Sequence, residues 1–141
     1  MMISLDQARA MVRGTLEKGR AMGLKPLSVA VLDAGGHVLA FEREDGASPG
    51  RFEIARGKAY GAVMLGMPGS AQMARAEEQA YFIAAANGAL GGKMIPVPGG
   101  VLVKDGAGAV IGAVGVTGDT SDNDAEAALA GIAAAGLEGA A

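Results

Sequence analysis

The chain has 141 residues, no cysteine and a net charge of −3, with a pI near 5.1. The length suits one domain, residues 1–141. The missing cysteines exclude disulfides, thiolate metal sites and thiol nucleophiles together, and the acidic balance argues against the basic surface that non-specific nucleic-acid binding needs. No apolar run reaches about 18 residues, so no membrane span is expected. Residues 1–6 lack the basic start and apolar stretch of a secretory leader, which points to the cytoplasm. Glycine supplies 24 residues and aromatics only five. Small residues bury little area each, so association between subunits is expected to finish the apolar burial, with a composition bias toward Ala and Gly as the plainer alternative.

Ser4-Leu5-Asp6-Gln7 reads as a capping box, followed by Leu5, Ala8, Val12 and Leu16 at helical spacing. Gly23 suits the C-cap, and Pro26 blocks continuation. Residues 27–33 read as a strand, Ala34-Gly35-Gly36-His37 as a tight turn and residues 38–43 as the returning strand. After a loop at 45–50, residues 52–65 predict a second helix. Gly57 and Gly61 lie one turn apart in it, each costing roughly 1 kcal/mol against alanine unless another backbone packs close. Gly66-Met67-Pro68-Gly69 ends that helix, and a short one is expected from Ser70. Residues 79–90 have helical propensity, interrupted by Asn87-Gly88 and Gly91-Gly92. Residues 94–100 are extended and proline-punctuated. Residues 101–104, the turn 105–108 and residues 109–117 make a second hairpin. A last helix is expected from Ser121, with Asp124 at N3, ending at Gly136. Two hairpins with intervening helices predict an antiparallel sheet in an α+β fold.

Most chemical motifs fail on inspection. The glycines at 106, 108 and 112 miss the dinucleotide spacing and lead into a strand, whereas that fingerprint opens a helix. Residues 52–59 are not a phosphate loop, with Phe52 where Gly is required and Ala59 where Ser or Thr is required. His37 is the only histidine and reads first as a solvated turn residue, so a hydrolase triad or a protein-built zinc site has little to draw on. Asp119, Asp122, Asp124 and Glu126 lack the calcium-loop glycine and read as charge complementing a helix N-terminus, with a weak oxygen-ligand metal site as the alternative. No metal ligands are assigned. Two features survive. Phe52, Arg56 and Tyr60 share a helix face that suits an anion through guanidinium and hydroxyl donors; alternatively Arg56 pairs with a structural acid such as Asp33 or Asp124. Pro96-Val97-Pro98-Gly99-Gly100 is either an anion-binding backbone nest or an ordinary turn into the next strand.

At these residues the chain resembles a known family. Val31-Leu32-Asp33-Ala34-Gly35-Gly36-His37, Ile54-Ala55-Arg56-Gly57-Lys58-Ala59-Tyr60, Pro98-Gly99-Gly100 and residues 111–118, with Asp124 opening the last helix, are similar in order to GlcG/HbpS-like proteins, which include the C-terminal domain of PduO-type proteins. The resemblance implies a five-stranded antiparallel sheet flanked by helices. It also implies assembly into dimers and often octamers and, for some members, binding of haem or another cofactor-sized ligand. The haem-binding members carry histidines in the first helix, whereas residues 4–22 here contain none. A haem ligand would therefore have to be His37, Tyr60, a methionine or Thr117.

The leading expectation is a homo-oligomer binding a small organic ligand, haem or another anionic cofactor or acid. Its pocket would be built from Arg56, Lys58, Tyr60, Pro98, Gly99, Gly100 and Thr117, with Arg56 and the paired glycines converging on one hollow. The first rival is an enzyme of small-acid catabolism of isomerase, hydratase or lyase type, with Asp33, Glu53, Tyr60 and Asp124 as candidate acid/base groups. The second is a structural accessory subunit.

Overall fold

The capping box forms as read: the Ser4 N–H donates to Gln7 Oε1 at 2.9 Å, and the Gln7 N–H donates to Ser4 Oγ at 3.0 Å. It opens α1 (Leu5–Ala21) in the computed structural model, which describes all 141 residues. Then come β1 (Ser28–Asp33), β2 (Val38–Arg43), α2 (Arg51–Leu65), α3 (Gly69–Glu78), α4 (Ala80–Ala89), β3 (Gly100–Lys104), β4 (Val110–Thr117), α5 (Ser121–Ala134) and β5 (Glu138–Ala140). The five strands form one antiparallel sheet in the order β2-β1-β4-β3-β5. The fold is α+β, in a single domain. No helix is long and apolar enough to cross a membrane.

Helices α1 and α5 cover one face of the sheet and α2 the other. The larger core lies under α1 and α5, where Met11, Val12 and Ile132 meet Val29, Val31, Val101 and Val114. The α2 side is thinner: Ala59 and Ala62 pack on Leu32, Leu102 and Ala113. Small residues let this helix settle directly on the strands. A Cβ added at Gly115 would collide with the Ala55 carbonyl, and one at Gly100 with the Lys58 carbonyl. Gly57 also meets another backbone, as its cost in a helix requires. A Cβ there would stand 2.6 Å from the Lys93 carbonyl oxygen, and the Ile95 N–H donates to the Gly57 carbonyl at 3.1 Å.

Three local expectations change. Residues 80–89 are helical, because Gly88 falls in the last turn and Gly91 and Gly92 come after it. The strand at 138–140 pairs with β3 although nothing in its sequence marks it. The N-cap of α5 is Thr120 and not Ser121: the Asn123 N–H donates to Thr120 Oγ1 at 3.3 Å, so N3 is Asn123. Asp124 is thereby turned inward. Thr120→Ala is expected to cost about 1 kcal/mol in chemical denaturation, and Ser121→Ala far less.

Candidate functional site

The β1–β2 turn is built by one carboxylate. Asp33 Oδ1 accepts from the N–H groups of Gly35 (2.9 Å) and His37 (3.0 Å). The His37 N–H leads the causes that hold the Asp33 carboxyl below its ordinary range, so Asp33 is a turn brace and a poor proton acceptor. Gly36, at φ +82°, completes the turn against the Tyr60 ring, where a Cβ would come within 3.2 Å.

This contact sets the turn beside the exposed side of α2. Gly35, Gly36, His37, Val38, Arg56, Tyr60 and Lys93 line one cleft of about 350 Å³. Helical spacing explains why Arg56 and Tyr60 point the same way. The Arg56 guanidinium lies 5.6 Å from the centre of the Phe52 ring, and its Nη2 donates to Glu53 at 2.9 Å. Its Nε is buried without a partner. Lys93 Nζ stands 5.3 Å from the centre of the Tyr60 ring. His37 Nδ1 is 3.3 Å from Asp33, and the imidazole is otherwise exposed. The cleft therefore gathers a guanidinium, an ammonium, an imidazole and a phenol hydroxyl, and the guanidinium's Nε is a buried donor without a partner. Such a set suits an anionic group on a small molecule.

Across the turn lies an apolar hollow of about 360 Å³, lined by Met1, Met2, Ile3, Leu39 and Ile111, which shares Gly35 with the cleft. A larger groove of about 480 Å³ runs along α1 and β2, but it mixes signs and its Arg20 and Glu44 already pair with each other.

The expected convergence of Arg56 with the paired glycines does not occur. Lys58 points away from Arg56, into the body of the protein. Its Nζ donates to the Val116 carbonyl at 3.0 Å and to Asp124 Oδ2 at 3.2 Å. Pro98, Gly99 and Gly100 are buried against this lysine. A Cβ at Gly99 would meet Lys58 Nζ at 2.9 Å and the Val116 oxygen at 2.6 Å. The glycine pair is a packing joint and leaves no hollow. Thr117 is buried, and its Oγ1 accepts from Arg51 Nη1 at 2.7 Å. Arg56 pairs with Glu53, not with Asp33 or Asp124.

The four acid/base candidates are scattered. Glu53 is exposed and holds Arg56, Asp33 braces the turn, and Tyr60 lines the cleft. Asp124 is buried: its Oδ1 accepts from the Asp119 N–H at 3.0 Å, and burial pushes its carboxyl up against the opposing pull of Lys58. Burial likewise lowers the Lys58 ammonium. Neither borders the cleft, the apolar hollow or the α1–β2 groove.

In the sequence His37 reads first as a solvated turn residue and otherwise as a possible haem ligand, Gly35 and Gly36 read as turn residues only, and Lys93 carries no signal. The helical register of Arg56 and Tyr60 was the available signal for this face. Lys93 sits in an irregular connection whose path only the fold reveals.

The family model described as "Haem degrading protein HbpS-like" matches residues 3–133. Among solved structures, the chain is similar to a double mutant of Streptomyces reticuli HbpS, with 30% identity and a TM-score of 0.80 over 94% of this chain and 86% of that one. Klebsiella pneumoniae protein ORFY follows, with 26% identity and a TM-score of 0.82 over 95% and 90%. A PduOC–heme complex, at 23% identity and TM-score 0.85 over 97% of both chains, shares the fold. No curated protein matches the chain.

Proposed function

Because the chain belongs to the HbpS-like family, we propose that it is a small-ligand-binding protein whose site is the cleft between the β1–β2 turn and α2. One observation carries the reading: Arg56, Lys93, His37 and Tyr60 meet in a single cleft, and Arg56 Nε lies buried and unpaired beside it. The ligand class is an organic anion, with Arg56 and Lys93 neutralising carboxylates and the Tyr60 hydroxyl adding a donor. The apolar hollow across Gly35 favours a ligand with an apolar body.

Haem satisfies that description, and the family's description together with the heme-bound structural neighbour makes it the first ligand to test. The residues present fit it: the exposed His37 imidazole, whose Nδ1 lies 3.3 Å from Asp33, would offer Nε2 to the iron, and Arg56 and Lys93 would suit its propionates. When bound, haem would supply its iron chemistry; the chain's residues would hold and orient it. The reading carries with it a cytoplasmic homo-oligomer. The acid/base alternative draws less support, because the one carboxylate raised by burial, Asp124, sits away from the cleft.

A thermal-shift panel of haem, cobalamin, flavin and small mono- and dicarboxylates tests the proposal. At least one should stabilise the protein, by about 2.7 kcal/mol when present at a hundred times its Kd. Arg56→Ala should then weaken that ligand at least ~10-fold, about 1.4 kcal/mol. A panel without any shift, or an Arg56→Ala protein binding as tightly as the parent, would overturn it.

A further inference from the structure

We propose a second binding site, for a phosphate group, in the cleft between the loop 44–50 and the end of β4. Lys25, Pro26, Gly46, Ser48, Arg51 and Gly118 line this cleft of about 240 Å³. None of them borders the cleft that holds Arg56, so the proposal stands apart from the ligand reading above. The volume falls below the roughly 300 Å³ at which pockets for cofactor-sized molecules begin. The site therefore suits one small charged group.

The lining is cationic and uncompensated. Neither Lys25 nor Arg51 forms an ion pair, and no acid borders the cleft. The carboxylates around it are engaged elsewhere. Asp119 Oδ2 accepts from the Lys25 N–H at 3.0 Å, and its Oδ1 accepts from the Thr120 N–H at 2.9 Å and from Asn123 Nδ2 at 2.8 Å. Glu44 pairs with Arg20 and accepts from the Leu27 N–H at 2.7 Å. Asp45 lines the α1–β2 groove instead. Arg51 is also the first residue of α2, where the helix dipole disfavours a cation, and its charge opposes that of the buried Lys58. An anion in the cleft relieves both.

Arg51 is held ready for such a group. Its Nε donates to Ser48 Oγ at 3.2 Å, and its Nη1 donates to the buried Thr117 Oγ1 at 2.7 Å. These two bonds fix the guanidinium plane, and Nη2 makes no hydrogen bond within the chain. The N–H groups of Gly46, Ser48 and Gly118 make none either. A fixed guanidinium, an ammonium, a hydroxyl and unbonded backbone N–H groups are the donors that phosphate oxygens take. Two positive charges without a counter-charge favour a phosphate, close to doubly ionised at neutral pH, over a single carboxylate.

The test titrates inorganic phosphate into the full chain at constant ionic strength and follows amide chemical shifts. Saturable shifts should centre on Gly46, Ala47, Ser48 and Gly118, and acetate should leave these amides unmoved. Arg51→Gln should weaken phosphate at least ~10-fold, the usual worth of a charge-assisted hydrogen bond. Because Arg51 also braces Thr117, Lys25→Gln, at an exposed position, supplies a second variant that leaves the fold alone. It should weaken phosphate about 3-fold, as the loss of an exposed charge pair does. Arg13→Gln, which removes another exposed arginine without an ion-pair partner, is the control and should bind as the parent does. Phenyl phosphate separates the two sources of the group: tighter binding than inorganic phosphate assigns a phosphorylated small molecule, and equal or weaker binding assigns free phosphate. Acetate acting as strongly as phosphate overturns the proposal. So do shifts that leave residues 46–48 and 118 unmoved, or Arg51→Gln and Lys25→Gln proteins that bind phosphate as tightly as the control.

Discussion

Lys58→Ala is expected to lose about 3–5 kcal/mol of unfolding free energy, the usual cost of breaking a buried ion pair from one side. Lys58 and Asp124 are both almost wholly buried, and the ammonium also holds the Val116 carbonyl at the end of β4. Removing it leaves the buried Asp124 carboxylate without its counter-charge, with only the Asp119 N–H still donating to it. Asp124 is already raised by burial, and losing the cation raises it further. The folded variant then holds a proton that the unfolded chain, with an ordinary carboxyl near 3.8, releases. Stability is therefore lost as pH rises through that interval, so the loss relative to the parent should be smaller at acid pH than at neutral pH. Urea denaturation at both values measures this. The double substitution Lys58→Met with Asp124→Leu should recover part of the loss, because it leaves no unpaired charge behind. An equal loss at both pH values would mean that Lys58 acts through packing alone.

Gly115→Ala should be comparably severe, costing about 3 kcal/mol or more, although it adds only a methyl group. The added Cβ would lie inside contact distance of the Ala55 carbonyl, and 2.9 Å from the Ala59 nitrogen. Both are main-chain atoms of α2, so no rotamer change gives relief and the helix itself must lift from the sheet. Gly106→Ala, in an open turn with nothing within 4 Å, is the control and should be near neutral. Because the lift displaces Arg56 and Tyr60 relative to the turn, Gly115→Ala should also weaken any ligand of the cleft. A Gly115→Ala protein as stable as the parent would contradict the direct seating of α2 on β4.

Much of this architecture was legible because it rests on local rules. The Ser4 capping box, the two glycine turns and the alternation of helices with hairpins are each written in a few consecutive residues, and each forms. The cleft was half legible. Arg56 and Tyr60 share a face by helical periodicity, whereas His37 and Lys93 join them only through tertiary packing. Lys58 misled for a specific reason: a lysine on a helix is ordinarily solvated, and nothing local indicates that its ammonium finds Asp124 far along the chain. The Gly99–Gly100 pair misled for a related one. Glycine permits close approach, but the sequence does not say to what, and here the approaching group is the protein's own α2. The edge pair, β3 with β5, rests on a three-residue segment too short to carry a pattern.

The cleft is the centre of this account, and amide chemical-shift mapping tests it most directly. With the panel compound that gives the largest thermal shift, the perturbations should centre on Gly35, Gly36, His37, Val38 and Lys93, leaving the backbone of α1 and the second hairpin unmoved. Shifts centred instead on the α1–β2 groove, with residues 35–38 unchanged, would contradict it.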